Sequence, residues 1–326
     1  MQKSTQEVSL MQNRKVLLIA GGGTLGTHVA NELLHLGCLV DVICLEDKVS
    51  NNAKLRFFKH QATDAYLASL FSDTHYDAIV NFIHYTDPEV YKKVYPFLMA
   101  NTDHLVFLSS YRVYANEQHP ITECAPRLYD VVKDEYFLNT EDYAVPKSKC
   151  EDWLMREHRG ENWTIVRPVI SSSERRLDLL LYSGHEILDN ADKGIEMPLP
   201  TFVKDFSAGM DWAGNSGKLI ANLLFKPDAM GEAFTIYSGH SLTWGQLADI
   251  YTELTGARFR WTDVAEYEAF EKKTQGRDAW MWLYDRNFDR AIDNSKVLRV
   301  TGLGKEDFTP VKDGLAYEIR LARGKA

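Results

Sequence analysis

Residues 16–26 read VLLIAGGGTLG, and this stretch decides the fold. Val16 to Ala20 is a short apolar run that stops at three consecutive glycines, which is the pattern of a buried strand and not of a leader peptide or membrane span. Beyond the glycines, Leu25, Val29, Leu33 and Leu36 recur at helical spacing until Gly37 ends them. Gly21, Gly23 and Gly26 therefore form G-x-G-x-x-G between a strand and a helix. Glycines there permit a tight turn, close packing of helix on strand and close approach of the backbone to a pyrophosphate. The helix N-terminus adds amide donors and positive potential. We expect a dinucleotide at Gly21, Gly23 and Gly26, with Thr24 and Leu25 opening the helix beside it.

Working outward, short apolar runs alternate with amphipathic segments. Strands are predicted at Lys15–Ala20, Leu39–Cys44, Leu55–Phe58, Ala78–Phe82, Leu105–Ser109 and Thr164–Arg167, with Val90, Val94 and Leu98 marking a further helix. That order implies an α/β fold, a Rossmann-type doubly wound parallel sheet with a smaller C-terminal α/β substrate domain. Residues 1–13 read as a polar extension in which Met11 is an alternative start. Residues 14–170 read as the dinucleotide-binding domain, and 171–326 as a substrate-binding region, parts of which can return to the sheet. Thr243 and Gln246 form a capping box ahead of Leu247, Ile250, Tyr251 and Leu254, with Gly256 as the stop.

The 326 residues, 45% hydrophobic and 25% charged, are ordinary for a globular protein long enough to build a cleft. A net charge of −9 argues against DNA and counsels against RNA. Cys38, Cys44, Cys124 and Cys150 have neither metal-type spacing nor the density of a disulfide scaffold, so we expect reduced thiols, no metal and a cytoplasmic protein. A homodimer is compatible with all of this.

For the cofactor's ribose, the second strand ends in Cys44-Leu45-Glu46-Asp47-Lys48. Cys44 falls where an acidic residue is expected for NAD, and Glu46 or Asp47 is the available substitute. The absence of arginine at this turn points to NAD, with NADP left open.

Two segments carry chemistry: LVFLSSYRVY (105–114) and DYAVPKSKCE (142–151). A tyrosine is a poor base at neutral pH because its ordinary pKa is about 10. A cation favours the phenolate, and Lys147 stands one helical turn beyond Tyr143. Pro146 beside it is acceptable only near a first turn, so the helix must start late.

With these segments in order after the glycine turn, the chain resembles the short-chain dehydrogenase/reductase superfamily, in its extended and atypical NAD-dependent epimerase/dehydratase branch. The likeness covers nearly the whole chain, including PDAMGEAFTIYSGHSLTWGQLADIYTELTG (227–256). It implies that Tyr143 exchanges the hydroxyl proton, that Lys147 also holds the nicotinamide ribose, and that Ser110, with Ser109 as the alternative, orients the reacting oxygen. It also places Phe82 against the cofactor, where such proteins carry small residues. Some members of the atypical branch bind RNA or have lost activity.

Other residues have two readings. Arg175 and Arg176 either clamp a substrate diphosphate or lie on the surface. His84 either donates a proton or packs in a loop, and Glu151 is read as an exposed ion pair with Lys147. The acidic segment between Tyr114 and Tyr143 is read as a mobile flap. Trp280 to Tyr284 either lines the pocket or packs the second domain. The resulting function is oxidation or reduction at a hydroxyl or carbonyl carbon of a nucleotide sugar, as in an epimerase or dehydratase. The alternatives are an NADP-dependent carbonyl reductase and a noncatalytic, RNA-binding or regulatory protein.

Overall fold

A computed structural model describes residues 11–158, 160–274 and 279–324. The first ten residues of the polar extension lie outside the described residues. Six strands appear where the sequence places them: β1 (Lys15–Ile19), β2 (Leu39–Cys44), β3 (Leu55–Lys59), β4 (Ala78–Asn81), β5 (Leu105–Leu108) and β6 (Trp163–Pro168). After them come β7 (Ile170–Ser172), β8 (Glu196–Pro200), β9 (Met210–Trp212), β10 (Glu232–Ile236) and β11 (Arg258–Thr262).

The main sheet has the order β10-β6-β5-β4-β1-β2-β3, and every neighbouring pair is parallel. The strand order reverses between β1 and β4, which opens a crevice at their carboxyl ends. Three strands stop one residue short of expectation, at Ile19, Asn81 and Leu108, and Ala20 and Ser109 line the crevice. At Ala20 the cause is visible as a left-handed φ of 56°. The seventh strand, β10, comes from the second half of the chain and pairs with β6.

Helices α1 (Thr24–His35), α2 (Asp64–Asp73), α3 (Pro88–Ala100) and α4 (Ala144–Asp152) belong to the first half, and α5 (Gly184–Lys193), α6 (Ala213–Leu223), α7 (Trp244–Thr255) and α8 (Val311–Ala322) to the second. Strand side chains alternate between two buried faces, as a doubly wound sheet requires. Val16 and Leu18 join Val29 and Leu33 of α1 and Leu219 and Leu223 of α6. Leu17 and Ile19 join Leu67 of α2, Tyr91 and Leu98 of α3, and Cys150 of α4. Helices α1 and α6 approach so closely that a Cβ on Gly217 would stand 2.6 Å from the His28 Cβ.

Helix α3 lies where Val90, Val94 and Leu98 mark it, burying Tyr91, Tyr95, Leu98 and Met99 with Val94 packed against the same core and Val90 exposed. One local expectation is corrected. The segment between Tyr114 and Tyr143 is folded, with short helices at Leu128–Val131 and Glu135–Thr140 whose Leu128 and Phe137 are buried. Trp280 and Tyr284 pack on that Phe137, and Trp282 enters the core of the second half, so the aromatic stretch is packing. The capping box of α7 forms as expected, with Gly256 at φ 77°.

Burial also makes one histidine acid-sensitive. His104 is fully buried, its Nδ1 accepts from the Phe225 N–H at 3.3 Å, and Nε2 therefore carries the proton toward Thr164 Oγ1 at 2.8 Å. Burial pushes its pKa down to about 4. The stability held by the neutral ring is complete above the ordinary histidine pKa and is lost as pH falls through 4. That loss amounts to about 3 kcal/mol. Denaturant unfolding at pH 7 and pH 4 checks this: His104→Gln is expected to flatten the decline, and an equally steep decline in the variant contradicts it.

Candidate active site

The N-terminus of α1 faces the crevice with its amides free. Gly23 caps it with no side-chain hydrogen bond, and the first turn holds no acidic residue. A Cβ on Gly23 would meet nothing within 4 Å, so the backbone there is open to a ligand. Gly21 and Gly26 have a different task. A Cβ on Gly21 would stand 2.7 Å from the Leu18 Cβ, and one on Gly26 would strike the Gly21 backbone, so both are packing glycines.

Two cavities meet at this helix end. The larger, about 580 Å³, is lined by Ala20, Gly22, Gly23, Glu46, Ile83 and His84 among others. The smaller, about 230 Å³, is lined by Thr24, Leu25, Ser109, Ser110, Tyr143 and Arg176 among others. Of the two acidic residues after β2, Glu46 lines the larger cavity, as do Asp64 and Asp87 from elsewhere, whereas Asp47 pairs with Lys59 at 2.9 Å. Lys48 Nζ donates to the Gly22 carbonyl at 2.5 Å, tying the loop after β2 to the glycine turn. Phe82 lines neither cavity. Its N–H still donates to Ile19 as the pleat continues, and its side chain joins Leu25 and Leu108 on the α1 face.

Ser110 caps a 3₁₀ turn, Tyr111–Val113, which follows β5. Helix α4 starts late, as Pro146 requires: Tyr143 is its N-cap and Pro146 occupies its first turn, where no N–H partner is lost. Glu141 starts the helix. Its carboxylate accepts from the N–H groups of Tyr143, Ala144 and Val145 at 3.1, 3.0 and 2.8 Å. Sequence reasoning counted Glu141 only among the acidic residues of a flap.

Lys147 is buried, with Nζ 5.9 Å from the Tyr143 ring centre and donating to the Leu108 carbonyl. Burial opposes ionisation of Tyr143, yet Lys147, Arg176, a hydrogen bond from Ser110 and Arg112 outweigh it and bring its pKa below the ordinary tyrosine value. Burial likewise lowers the pKa of Lys147, against the pull of Tyr143. Ser110 and Ser109 line the same cavity as Tyr143, and of the two Ser110 favours its phenolate.

Around this centre lie residues whose roles the sequence did not disclose. Glu151 is buried and receives two bonds from Arg167, both 2.8 Å, and one from Arg127 at 3.2 Å. This corrects the surface ion pair with Lys147: Glu151 points at β6, away from solvent. Arg167 also donates to the Tyr114 hydroxyl at 3.0 Å, so β6, α4 and the turn after β5 share one charged network.

A second network centres on buried Asp285, which accepts from Tyr111 and from Arg290, each at 3.1 Å, and pairs with Arg286. Arg175 is exposed and Arg176 half-buried, yet both line the smaller cavity. Their turn is pinned from α8, where Glu318 accepts from the Glu174 N–H at 2.8 Å. His84 packs its ring 4.9 Å from that of Tyr143 and bonds the Asp142 carbonyl at 2.9 Å, and burial lowers its pKa.

This architecture matches solved structures along nearly its full length. An epimerase of Methanothermobacter thermautotrophicus superposes with a TM-score of 0.68 at 17% identity, covering 98% of this chain and 97% of that one. The Bordetella bronchiseptica enzyme WbmH, solved with NAD+, gives 0.67 at 17% identity over 96% and 99%. The fold is that of the epimerases. A Thermotoga maritima UDP-glucose 4-epimerase, solved with UDP-glucose, gives 0.66 at 15% identity over 95% and 99%. At these identities the likeness is one of fold. No family model and no curated protein sequence matches the chain.

Proposed function

We propose that the protein is an NAD-dependent enzyme of the epimerase type, acting at a hydroxyl-bearing carbon of a nucleotide sugar. The observation that carries this reading is the convergence of Tyr143, Ser110 and Lys147 beside the uncapped N-terminus of α1. The open backbone at Gly23 and the adjoining cavity fit a dinucleotide, with pyrophosphate on the α1 amides and a ribose near Glu46. A carboxylate there suits a ribose diol and repels a 2′-phosphate, which favours NAD over NADP. Bound there, the cofactor supplies a hydride acceptor and donor.

The chain's own residues handle the proton. Tyr143 as phenolate takes the substrate hydroxyl proton, Ser110 orients that oxygen, and Lys147 holds the phenolate charge. Returning the proton completes the reverse reduction. Among the described residues, no carboxylate lines the smaller cavity. A dehydration needs a further acid–base group, so the lining favours epimerisation or simple oxidation. Arg175 and Arg176 supply guanidinium groups for the substrate's phosphates.

Calorimetry with NAD and NADP tests the first step, together with mass analysis of any nucleotide released on denaturation. NAD is expected to bind more tightly. No heat and no thermal shift with either would remove the reading, and a preference for NADP would reverse the role given to Glu46. Once a substrate is found, Arg175→Ala with Arg176→Ala should raise KM roughly ten- to a hundredfold, the worth of a hydrogen bond to a charged group. Unchanged kinetics would return both arginines to the surface.

A further inference from the structure

We propose that Arg112, held against the face of the Tyr143 ring, is a positioning residue for proton transfer there. Its guanidinium carbon lies 4.8 Å from the ring centre, closer than the Lys147 ammonium at 5.9 Å. The inference rests on Tyr143 being the proton-transfer residue.

Arg112 is buried, and its hydrogen bonding is incomplete. The Nε has no hydrogen-bond partner, and the nearest carboxylates, Glu141 and Asp285, stand off at 3.6 and 3.5 Å. Arg167 shows the contrast, meeting Glu151 with two bonds of 2.8 Å. An arginine kept only for structure would be expected to bond as Arg167 does, since a buried, poorly paired charge is costly. The charge of Arg112 is instead left with the Tyr143 ring as a close neighbour, and a cation on that face favours the phenolate over the phenol.

Several groups from other elements also face Tyr143. They are Lys147 from α4, Arg176 from the turn after β7, Ser110 from the turn after β5, and His84 from the loop after β4. Glu141 meets the Tyr143 N–H from before the helix. Arg112 itself stands between Glu141, from before α4, and Asp285, from the second half of the chain, at 3.6 and 3.5 Å.

Tyrosinate absorbance in the folded, unliganded enzyme is the test. The difference between wild type and Tyr143→Phe isolates the titration of Tyr143. Arg112→Gln, which keeps a donor and removes the charge, is expected to move that midpoint up by about one pH unit, a tenfold change in ionisation constant. The low-pH limb of kcat/KM should move by the same amount, and Arg112→Lys should restore most of the shift. If Arg112→Gln does not fold, Arg112→His takes its place, because a neutral planar ring keeps the stacking without the charge. An unchanged midpoint in a folded variant overturns the proposal. Full turnover in Tyr143→Phe instead overturns the catalytic reading, and the absorbance titration tells the two failures apart.

Discussion

Tyr143→Phe is expected to lower turnover by a factor on the order of 10² to 10⁴ while leaving NAD affinity nearly unchanged. The substitution removes one oxygen and leaves the ring that packs against Arg112 and His84. It leaves the backbone N–H on Glu141 as well, so the start of α4 is preserved. Lys147→Met should behave differently. It removes a charge proposed to act on both the phenolate and the nicotinamide ribose, so turnover and cofactor affinity should fall together. Because Lys147, Arg112 and Arg176 lower the Tyr143 pKa, the oxidation rate should rise as pH passes through that lowered value. The limb should move up in pH when Lys147 is replaced. Near-wild-type turnover in Tyr143→Phe on the true substrate would remove Tyr143 from the chemistry.

Glu151→Gln should destabilise the fold by about 3 to 5 kcal/mol, the usual effect of taking one partner out of a buried ion pair. Gln is close to Glu in shape, so the change isolates the charge. It would leave buried Arg127 with Asp130 and Asp152, and buried Arg167 with only the neutral Tyr114 hydroxyl and Glu123 carbonyl. Burial acts against ionisation of Glu151, but Arg167 and Arg127 overcome it and hold its pKa below the ordinary carboxylate value. A carboxylate with a lowered folded pKa stabilises fully above its unfolded pKa and loses that contribution as pH falls through the folded value. Wild type should therefore lose part of its margin over the variant in acid. Denaturant unfolding at neutral pH measures the main effect, and a difference below about 1 kcal/mol would place Glu151 with exposed pairs.

Much of the fold was legible because its signals are local. The alternation of Val16, Leu17, Leu18 and Ile19 between two cores follows from the strand period of two, and α1 follows from Leu25, Val29 and Leu33. Pro146 alone dated the start of α4, since a proline lacks the N–H that an interior helical position needs. Helix α3 follows from Val90, Val94 and Leu98, whereas the burial of Tyr91 and Tyr95 on it depended on the sheet beneath.

By itself, then, the sequence determined the strand and helix periods, the glycine turn that opens α1, and the spacing of Tyr143 and Lys147 on one helix. Each depends on residues within a turn or two of one another. Tertiary structure alone decided that β10 completes the sheet beside β6, that Gly21 and Gly26 pack while Gly23 stays open, and that Glu46 and not Asp47 enters the cavity. It alone brought Asp285 to Tyr111, 174 residues away in the chain, and placed Arg112 on the Tyr143 ring. The reason is physical: backbone period is set by neighbours along the chain, whereas the strength of a charge depends on which distant groups exclude water from it.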